Sequence, residues 1–508
     1  MKKGIHFIAL LCLSGSIIAQ KPSDAVNPDW ENGIPRVVYP DKDLVDLYEK
    51  TWEIAADRVR KGPEGLPASP YLDENCYDDQ IWIWDACFMV MFSKYAPNAY
   101  PGKQTLDNLY YPIHESSSTP LRIHLRDNPP LFAWTEYNNY LFSRDEKHLT
   151  HVLKDKQYLQ RHYNYFNEVP HGNVNKDISP NPIFRKVIYD KDQSIRGYSW
   201  TGGASGMDNT VRGRDAGGYS KIMWVDAISQ QALSALYISR LYKFTGDKKQ
   251  AAYWEKTYKQ LKKTINENYW DEKDGFYYDV AIENNQPCRI KTPASFWTLL
   301  AEIPDKKQAA QMIRQLLGPD SMGGDYPWVS LARDDADFNN ATGDYWRGGI
   351  WLPMVYMGTK AIEKYGYYDL ADQLAEKVLR QQLRTFHNYE PNTIWECYNP
   401  SKDEPSTEHG RRARPDFCGW SALGPISLFI ENIMGFREIN ALDNTIRWDI
   451  KEKNGTHGLR NLNFGNIHTD LVYNAEKKQI EVSANQNYTL IANGRKYNIK
   501  KGSQIIQI

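Results

Sequence analysis

Length, composition and charge limit the classes of protein that this chain can form. It has 508 residues, with 62 Lys and Arg against 63 Asp and Glu and a formal net charge of -1. Because no long basic run is present, nucleic acid is not expected as a partner. The length suits one large domain and a smaller accessory one.

The first 19 residues have the pattern of a secretory signal peptide. Lys2 and Lys3 precede an apolar stretch at 5–13, and Ala19 supplies a small residue at the end. The stretch is too short for a membrane span, so we expect an exported protein, periplasmic or extracellular, with residues 20–42 as an N-terminal extension. Lipidation at Cys12 is the alternative, but a leucine stands before that cysteine, where a small residue is usual.

The remaining cysteines predict neither a disulfide framework nor a metal site. There are five of them, an odd number, and none forms a CxxC pair or has metal-finger spacing. We therefore expect no disulfide framework. We also expect no metal and no cofactor, because the two-carboxyl chemistry described below needs neither.

Residues 43–436 repeat one theme, a helix followed by a short turn and a second amphipathic helix. In one such hairpin, the helix at 225–242 ends near Gly246, and the next helix buries Ala251, Trp254, Tyr258, Leu261 and Ile265. Further helices are predicted at 44–59, 149–166, 304–317, 354–365, 370–386 and 423–434. Ten to twelve helices of this kind predict an all-α (α/α)6 toroid as the main domain.

Long connections between the helices are expected to build a pocket at one end of the toroid. Such connections commonly carry functional residues. The segments concerned are rich in Gly, Pro, Trp and acidic residues and are predicted as loops at 77–88, 123–130, 198–215, 323–351 and 390–420.

Residues 437–508 have the alternating pattern of β-strands. Strands are predicted at 445–450, 468–473, 479–483 and 488–492, with a hairpin turn at Asn493-Gly494. We expect a small antiparallel β-domain that covers a face of the toroid. A carbohydrate-binding module is the alternative, but no exposed aromatic platform can be identified.

Two carboxyl groups are the candidates for catalysis. Hydrolysis of a glycosidic bond needs a proton donor and either a nucleophile or an activated water, which two acids can provide without a metal. Asp208 lies in a glycine-rich segment, where burial would raise its pKa and keep it protonated. Glu396 lies between Trp395 and Tyr398, a setting suited to a carboxylate and a water beside a sugar.

Aromatic and polar residues near these acids are candidates for sugar binding. Indole faces can stack on a pyranose, and a carboxylate or guanidinium can bind its hydroxyls. The alternative for the aromatic motifs is core packing. The candidates are Trp82, Trp84, Asp85, Asn128, Tyr345, Trp346, Arg347, Trp351, Trp395 and Trp420.

Seven motifs in a fixed order resemble glycoside hydrolase family 63, which includes processing α-glucosidases and mannosylglycerate hydrolases, and its relatives, the trehalases of family 37. They are Trp84-Asp85-Ala-Cys-Phe88, Asn128-Pro-Pro130, Gly206-Met-Asp-Asn209, Trp224-Val-Asp226, Tyr345-Trp-Arg-Gly-Gly-Ile-Trp351, Trp395-Glu-Cys-Tyr-Asn-Pro400 and Phe417-Cys-Gly-Trp-Ser-Ala422. The resemblance implies an inverting, exo-acting enzyme with Asp208 as general acid and Glu396 as general base.

The resemblance also implies that the terminal sugar lies against Trp84, Asp85, Trp346 and Trp351. One departure concerns Asn128, where family members commonly carry a glutamine that contacts the sugar. The shorter side chain puts the usual glucose contact in doubt.

Three functional hypotheses follow. The first is an exported α-glucosidase acting on a disaccharide or short α-glycoside, with an oligosaccharide or small glycoside as its partner. The second is a lyase or unsaturated uronide hydrolase on the same toroid, in which arginines neutralise a uronate; the candidates are Arg347, Arg411, Arg412 and Arg414. The third is a non-catalytic sugar-binding protein, which is disfavoured because both candidate acids are present in their motifs.

Overall fold

The computed structural model describes residues 26, 28–74, 80–115, 120–123, 128–168, 185–318, 320–452 and 454–508. The predicted signal peptide, with Cys12, lies outside the described residues, as does part of the predicted loop at 123–130.

Six helices of the described chain form a closed inner ring. They are Ile83–Ser93, Phe132–Ser143, Val225–Phe244, Trp297–Leu300, Leu352–Glu363 and Leu423–Ile433. Each contacts the next in this order, and the last contacts the first. These helices are buried on nearly all sides, as Ile83–Ser93 shows with every residue buried, because neighbours flank them within the ring and outer helices cover them.

Six further helices form an outer layer. They are Lys42–Ala56, Gly102–His114, Tyr158–Asn167, Lys248–Asn268, Lys306–Leu317 and Tyr368–Asn388. Each bears one buried face, and in Lys248–Asn268 the buried residues are the five predicted from the spacing. An (α/α)6 toroid is therefore present.

Two predictions about local structure in the toroid were wrong. The segment 77–88 is not a loop throughout, since the helix Ile83–Ser93 begins inside it. The helix predicted at 149–166 is interrupted, because Gln157 adopts a left-handed conformation with a φ of +52°. The chain there forms Glu146–Thr150, the π-helical turn His151–Asp155 and then Tyr158–Asn167.

The connections also contain short elements that an all-α description leaves out. The short helical turns are Trp30–Gly33, Gly202–Ser205, Arg214–Ala216, Tyr219–Lys221, Pro293–Phe296 and Cys418–Ser421. The short strands are Val59–Arg60, Tyr71–Leu72, Gln80–Ile81, Arg122–Ile123, Lys186–Tyr189, Ile195–Ser199, Ile222–Met223, Trp270–Asp271, Phe276–Tyr277, Asp279–Ala281, Pro287–Cys288, Thr407–Glu408 and Arg411–Arg412.

The C-terminal region contains two sheets. The first is antiparallel, in the order Arg36–Val38, Thr456–Phe464, Ile467–Asn474, Gln479–Ala484 and Gly502–Gln507. The second has the order Phe436–Asn440, Thr445–Trp448, Tyr488–Ala492 and Arg495–Ile499. The N-terminal extension therefore supplies an edge strand to the β-region.

One strand pair corrects the prediction of a purely antiparallel domain. Thr445–Trp448 pairs in parallel with Tyr488–Ala492, because three strands of the other sheet intervene between them in the chain. The predicted turn is formed, with φ values of +45° at Asn493 and +78° at Gly494. Left-handed conformations at both positions suit a tight hairpin turn.

Candidate active site

Connections at one end of the inner ring converge on a common site. Asn209 joins two of them: its Oδ1 accepts from the backbone N–H of Trp346 at 2.8 Å, and its Nδ2 donates to the carbonyl of Asp344 at 2.9 Å. The Tyr345 hydroxyl donates to the Glu396 carboxylate at 2.9 Å and so joins a third connection. Asn209, which was not among the predicted site residues, is thus a positioning residue.

The segment that carries Asp208 makes a tight turn that depends on two glycines. The short helix Gly202–Ser205 ends at Gly206, whose φ of +79° is readily adopted by glycine. A Cβ on Gly206 would lie 3.2 Å from the Trp84 ring, and one on Gly202 would lie 2.4 Å from the Asp208 carbonyl oxygen. The glycines therefore allow the turn to pack against Trp84.

Asp208 has the environment of a proton donor. Its side chain is exposed, and no hydrogen bond to it is found within the part of the chain that the structure describes. The surrounding protein nevertheless desolvates the carboxyl group; this desolvation, with a smaller rise from the charge of Glu408 and an opposing effect of Arg414, raises its pKa to about 6. Such a group is half protonated near pH 6 and can protonate a leaving oxygen.

Glu396 has a different environment, that of a fixed carboxylate. Its side chain is buried, and Oε1 accepts from the Tyr345 hydroxyl at 2.9 Å and from Arg414 Nη1 at 2.8 Å. The Trp420 indole N–H donates to the Glu396 carbonyl at 2.7 Å, which fixes the backbone. Burial raises the pKa of Glu396, while the charge of Arg414 and the bond from Tyr345 oppose the rise.

Asp85 lies in the first turn of Ile83–Ser93, close to both candidate acids. It is 5% exposed, and burial raises its pKa to about 8, with the charges of Glu396 and Asp208 contributing. Just upstream, Glu74 is fully buried, and burial raises its pKa with help from neighbouring carboxylates that include Asp85. Glu74 was not predicted as a site residue, because no motif surrounds it.

The predicted aromatic residues divide into a stacked pair and flanking rings. Trp346 and Trp351 stack with ring centroids 4.0 Å apart and planes inclined by 6°. Both are 1% exposed, so each ring covers one face of the other and leaves little surface for a ligand. The ring centroids of Trp420 and Trp351 lie 5.6 Å apart. Trp395 is also buried. Trp82 is half-buried and is the most accessible tryptophan of the predicted set.

Asn128 and Arg347 contact the backbone of the site. Oδ1 of Asn128 accepts from the Trp84 backbone N–H at 2.7 Å and satisfies a donor at the start of a helix. Arg347 Nε donates to the Asn209 carbonyl at 3.5 Å. Both side chains therefore position the segments that carry other site residues.

Two arginines of the cluster at 411–414 contact predicted site residues. Arg411 and Arg412 are exposed on a hairpin, and the Arg412 guanidinium lies 5.6 Å from the centre of the Trp395 ring. Arg414 pairs with Glu396. This arrangement gives no support to the hypothesis that these arginines neutralise a uronate.

Glu408 is a further acid that sequence reasoning missed. It is half-buried in the strand Thr407–Glu408, and its negative charge raises the pKa of both Asp208 and Glu396. Its neighbours in the sequence are polar and charged, so no motif singled it out. The structure places it within electrostatic range of both candidate acids.

Within the described ranges, no group of three or more His, Cys, Asp or Glu side chains is arranged to hold a metal ion. In that same part of the chain, no helix has the length and apolar character needed to cross a membrane. The described cysteines, Cys87, Cys288, Cys397 and Cys418, are buried free thiols.

A toroid of paired helices with two differently placed carboxyl groups at one end has the parts of a glycoside hydrolase. Residues 80–418 match the family model of the mannosylglycerate hydrolase MGH1-like glycoside hydrolase domain. The chain belongs to this family, and the resemblance to family 63 and the assignment as a glycoside hydrolase are confirmed.

Relatives include proteins with and without a named activity. The chain is 27% identical over 471 residues to an uncharacterized protein of Borreliella burgdorferi, covering 88% of this chain and 91% of that protein. It is 26% identical to the mannosyl-oligosaccharide glucosidase of Saccharomyces cerevisiae over 54% of this chain and 34% of that one. It is 28% identical to the mannosylglycerate hydrolase of Rubrobacter radiotolerans, over 25% of this chain and 30% of that protein. The chain thus aligns with about a third of each named relative.

Solved structures share the fold. The family 63 mannosylglycerate hydrolase of Thermus thermophilus, in complex with glucose, superposes with a TM-score of 0.56 at 16% identity, covering 75% of this chain and 99% of that one. A protein described as a sialidase superposes with a TM-score of 0.68 at 15% identity, covering 93% of this chain and 40% of that one.

Proposed function

We propose that the protein is an exported, inverting exo-α-glycosidase, and specifically an α-glucosidase that hydrolyses a disaccharide or short α-glycoside. The observation that carries the proposal is the contrast between its two acids. Asp208 has a pKa of about 6 with no described hydrogen bond, whereas Glu396 is paired with a guanidinium and a phenol. Unequal environments of this kind separate an acid from a base.

In the proposed reaction, Asp208 gives its proton to the glycosidic oxygen as the bond to the anomeric carbon breaks. Glu396 accepts a proton from a water molecule, whose oxygen attacks the anomeric carbon from the opposite face. The products are a reducing sugar of inverted configuration and an alcohol. Asp208 is then deprotonated and Glu396 protonated, so a net proton transfer between them restores the enzyme.

The sugar specificity is supported by the named relatives and by the polar groups of the site. One relative is a glucosidase and another a mannosylglycerate hydrolase, which favours a gluco- or manno-configured sugar. Asp85, beside both acids, can hydrogen-bond to sugar hydroxyls, and with its raised pKa the protonated carboxyl both donates and accepts. Trp82 offers the most accessible ring for stacking.

The assignment is tested with Asp208→Asn and Glu396→Gln on α-linked glucosyl and mannosyl disaccharides, with products separated by chromatography. Each change should lower kcat about 10²- to 10⁴-fold, the usual contribution of general acid-base catalysis. Asp215→Asn and Glu390→Gln are matched controls, since both acids are outside the hydrogen-bonded site and Glu390 is exposed. Wild-type turnover by either test variant on a substrate with a poor leaving group would refute that residue's role.

Export is proposed from the sequence of residues 1–19. Expression of the full chain in a bacterial host should yield a secreted or periplasmic protein that begins after Ala19, as intact mass would show. A mature protein that retains residues 1–19 in the cytoplasm would contradict export, and a mass increase on Cys12 would indicate lipidation instead.

A further inference from the structure

A second cavity lies at the opposite end of the toroid from the candidate acids. Helix Ile83–Ser93 carries Asp85 in its first turn and is followed by Lys94, and helix Leu352–Glu363 follows Trp351 and carries Lys360 near its end. Nine residues separate the members of each pair, which corresponds to about 14 Å along a helix axis. Lys94 and Lys360 both line this cavity, so it is distinct from the catalytic site.

The cavity has the size and walls of a small-ligand site. Its volume is about 490 Å³, within the range of pockets that hold a small molecule. Aromatic side chains line it, among them half-buried Tyr137 and Tyr368, which is 46% exposed at the rim. Aromatic rings offer apolar faces together with polar edges and hydroxyls, a combination that suits a sugar.

The floor of the cavity holds buried hydrogen-bonding groups. Glu431 accepts from the Tyr95 hydroxyl at 2.7 Å, pairs with Lys360 at 2.9 Å and accepts from Lys94 at 3.4 Å. An ammonium group has three donors, and Glu431 is the one acceptor of Lys94 found in the described chain. The Lys94 side chain is 11% exposed, so its remaining donors can meet a ligand in the cavity.

The charges around the cavity compensate one another. Each lining cation has a carboxylate partner, in the pairs Lys94–Glu431, Lys360–Glu363, Lys364–Glu302, Arg437–Asp372 and Arg447–Glu438. A charged ligand would meet no unpaired counter-charge among these groups and would lose its hydration. A neutral ligand with many hydroxyls would find charged donors, charged acceptors and aromatic faces together.

We propose that this cavity is a second, non-catalytic binding site for a neutral mono- or disaccharide. The proposal does not rest on the stereochemistry or sugar preference of the catalytic site. It places two sugar-binding sites at opposite ends of the same inner helices.

Calorimetric titration with glucose, which has no glycosidic bond for the enzyme to hydrolyse, tests the proposal. The wild-type protein should show two classes of binding site. Asp85→Ala should weaken binding at the catalytic site, and Lys94→Met should weaken binding at the second site. We expect Lys94→Met to weaken the second site by about tenfold, as expected for loss of a hydrogen bond from a charged group, and to leave turnover of a dilute substrate unchanged. Lys263→Met, on an exposed part of the outer layer, is the matched control.

A second variant guards against loss of folding by Lys94→Met. Lys364 is 33% exposed at the cavity wall, and Lys364→Met should also weaken the second class of site. The proposal would be overturned if both lysine variants kept the second class of site at wild-type affinity. It would also be overturned if the Asp85→Ala protein lacked that second class. Tighter binding of glucuronate than of glucose would overturn the assignment of a neutral ligand.

Discussion

Arg414 contacts both oxygens of the Glu396 carboxylate. Its Nη1 donates to Oε1 at 2.8 Å, and its backbone N–H donates to Oε2 at 3.3 Å. The guanidinium charge lowers the pKa of Glu396 and also that of Asp208. One side chain therefore influences the protonation of both proposed catalytic groups.

Removing this charge should move the whole pH profile of kcat/KM to higher pH. In Arg414→Met, Glu396 would become ionised, and Asp208 would lose its proton, at higher pH than in the wild type. The acidic and alkaline limbs would then shift in the same direction. Arg411→Met, on the exposed hairpin, should leave both limbs in place. An unchanged profile in Arg414→Met would show that this charge does not tune the acids.

Glu408→Gln should have the opposite effect. Glu408 raises the pKa of both Asp208 and Glu396, so neutralising it should shift both limbs of the profile to lower pH. Glu390→Gln is the control for an exposed acid in the same connection. A fall in kcat at every pH, with no shift of either limb, would instead point to a substrate contact by Glu408.

Tyr345→Phe should reduce kcat while leaving the fold intact. The change removes one of the two side-chain hydrogen bonds that the described residues make to Glu396, and hydrogen bonds to charged groups contribute about 1.5–3 kcal/mol. A loss of that size in the transition state lowers the rate about ten- to hundredfold. Tyr389→Phe is the control for loss of a hydroxyl, because the Tyr389 hydroxyl donates to Glu404 and not to Glu396. Full activity of Tyr345→Phe would exclude this bond from the mechanism.

Arg212→Met should destabilise the protein strongly. The Arg212 guanidinium is buried and pairs with Asp226 at 2.7 Å and with Asp279 at 2.6 Å. Removing the cation leaves two buried carboxylates without it, a loss of about 3–5 kcal/mol in the free energy of unfolding. Arg289→Met, which breaks exposed pairs, should cost less than about 1 kcal/mol. Denaturant titration of both variants distinguishes the two cases.

Helical spacing made the toroid predictable from the sequence. Trp254, Tyr258 and Leu261 follow the period of a helix with one buried face, and the structure buries that face. The parallel pairing of Thr445–Trp448 was not predictable, because alternation identifies strands but not their partners. The helix break at left-handed Gln157 was also not predictable, since no glycine in the sequence marks it.

The candidate site was predictable where a motif surrounds a residue. Asp208 and Glu396 lie in such motifs, and the structure brings both into electrostatic range of Asp85. Glu408 and Glu74 were missed because their significance comes from tertiary proximity and burial, which no local pattern encodes.

The anomeric configuration of the first product tests the central claim most directly. Proton NMR of an α-linked glucosyl disaccharide, recorded before mutarotation, should show the β-anomer of glucose appearing first, because a water activated by Glu396 attacks opposite the bond that Asp208 protonates. The same enzyme should transfer little sugar to added alcohols, since no glycosyl-enzyme forms. Initial release of the α-anomer, or a covalent adduct trapped on Glu396, would contradict the inverting mechanism.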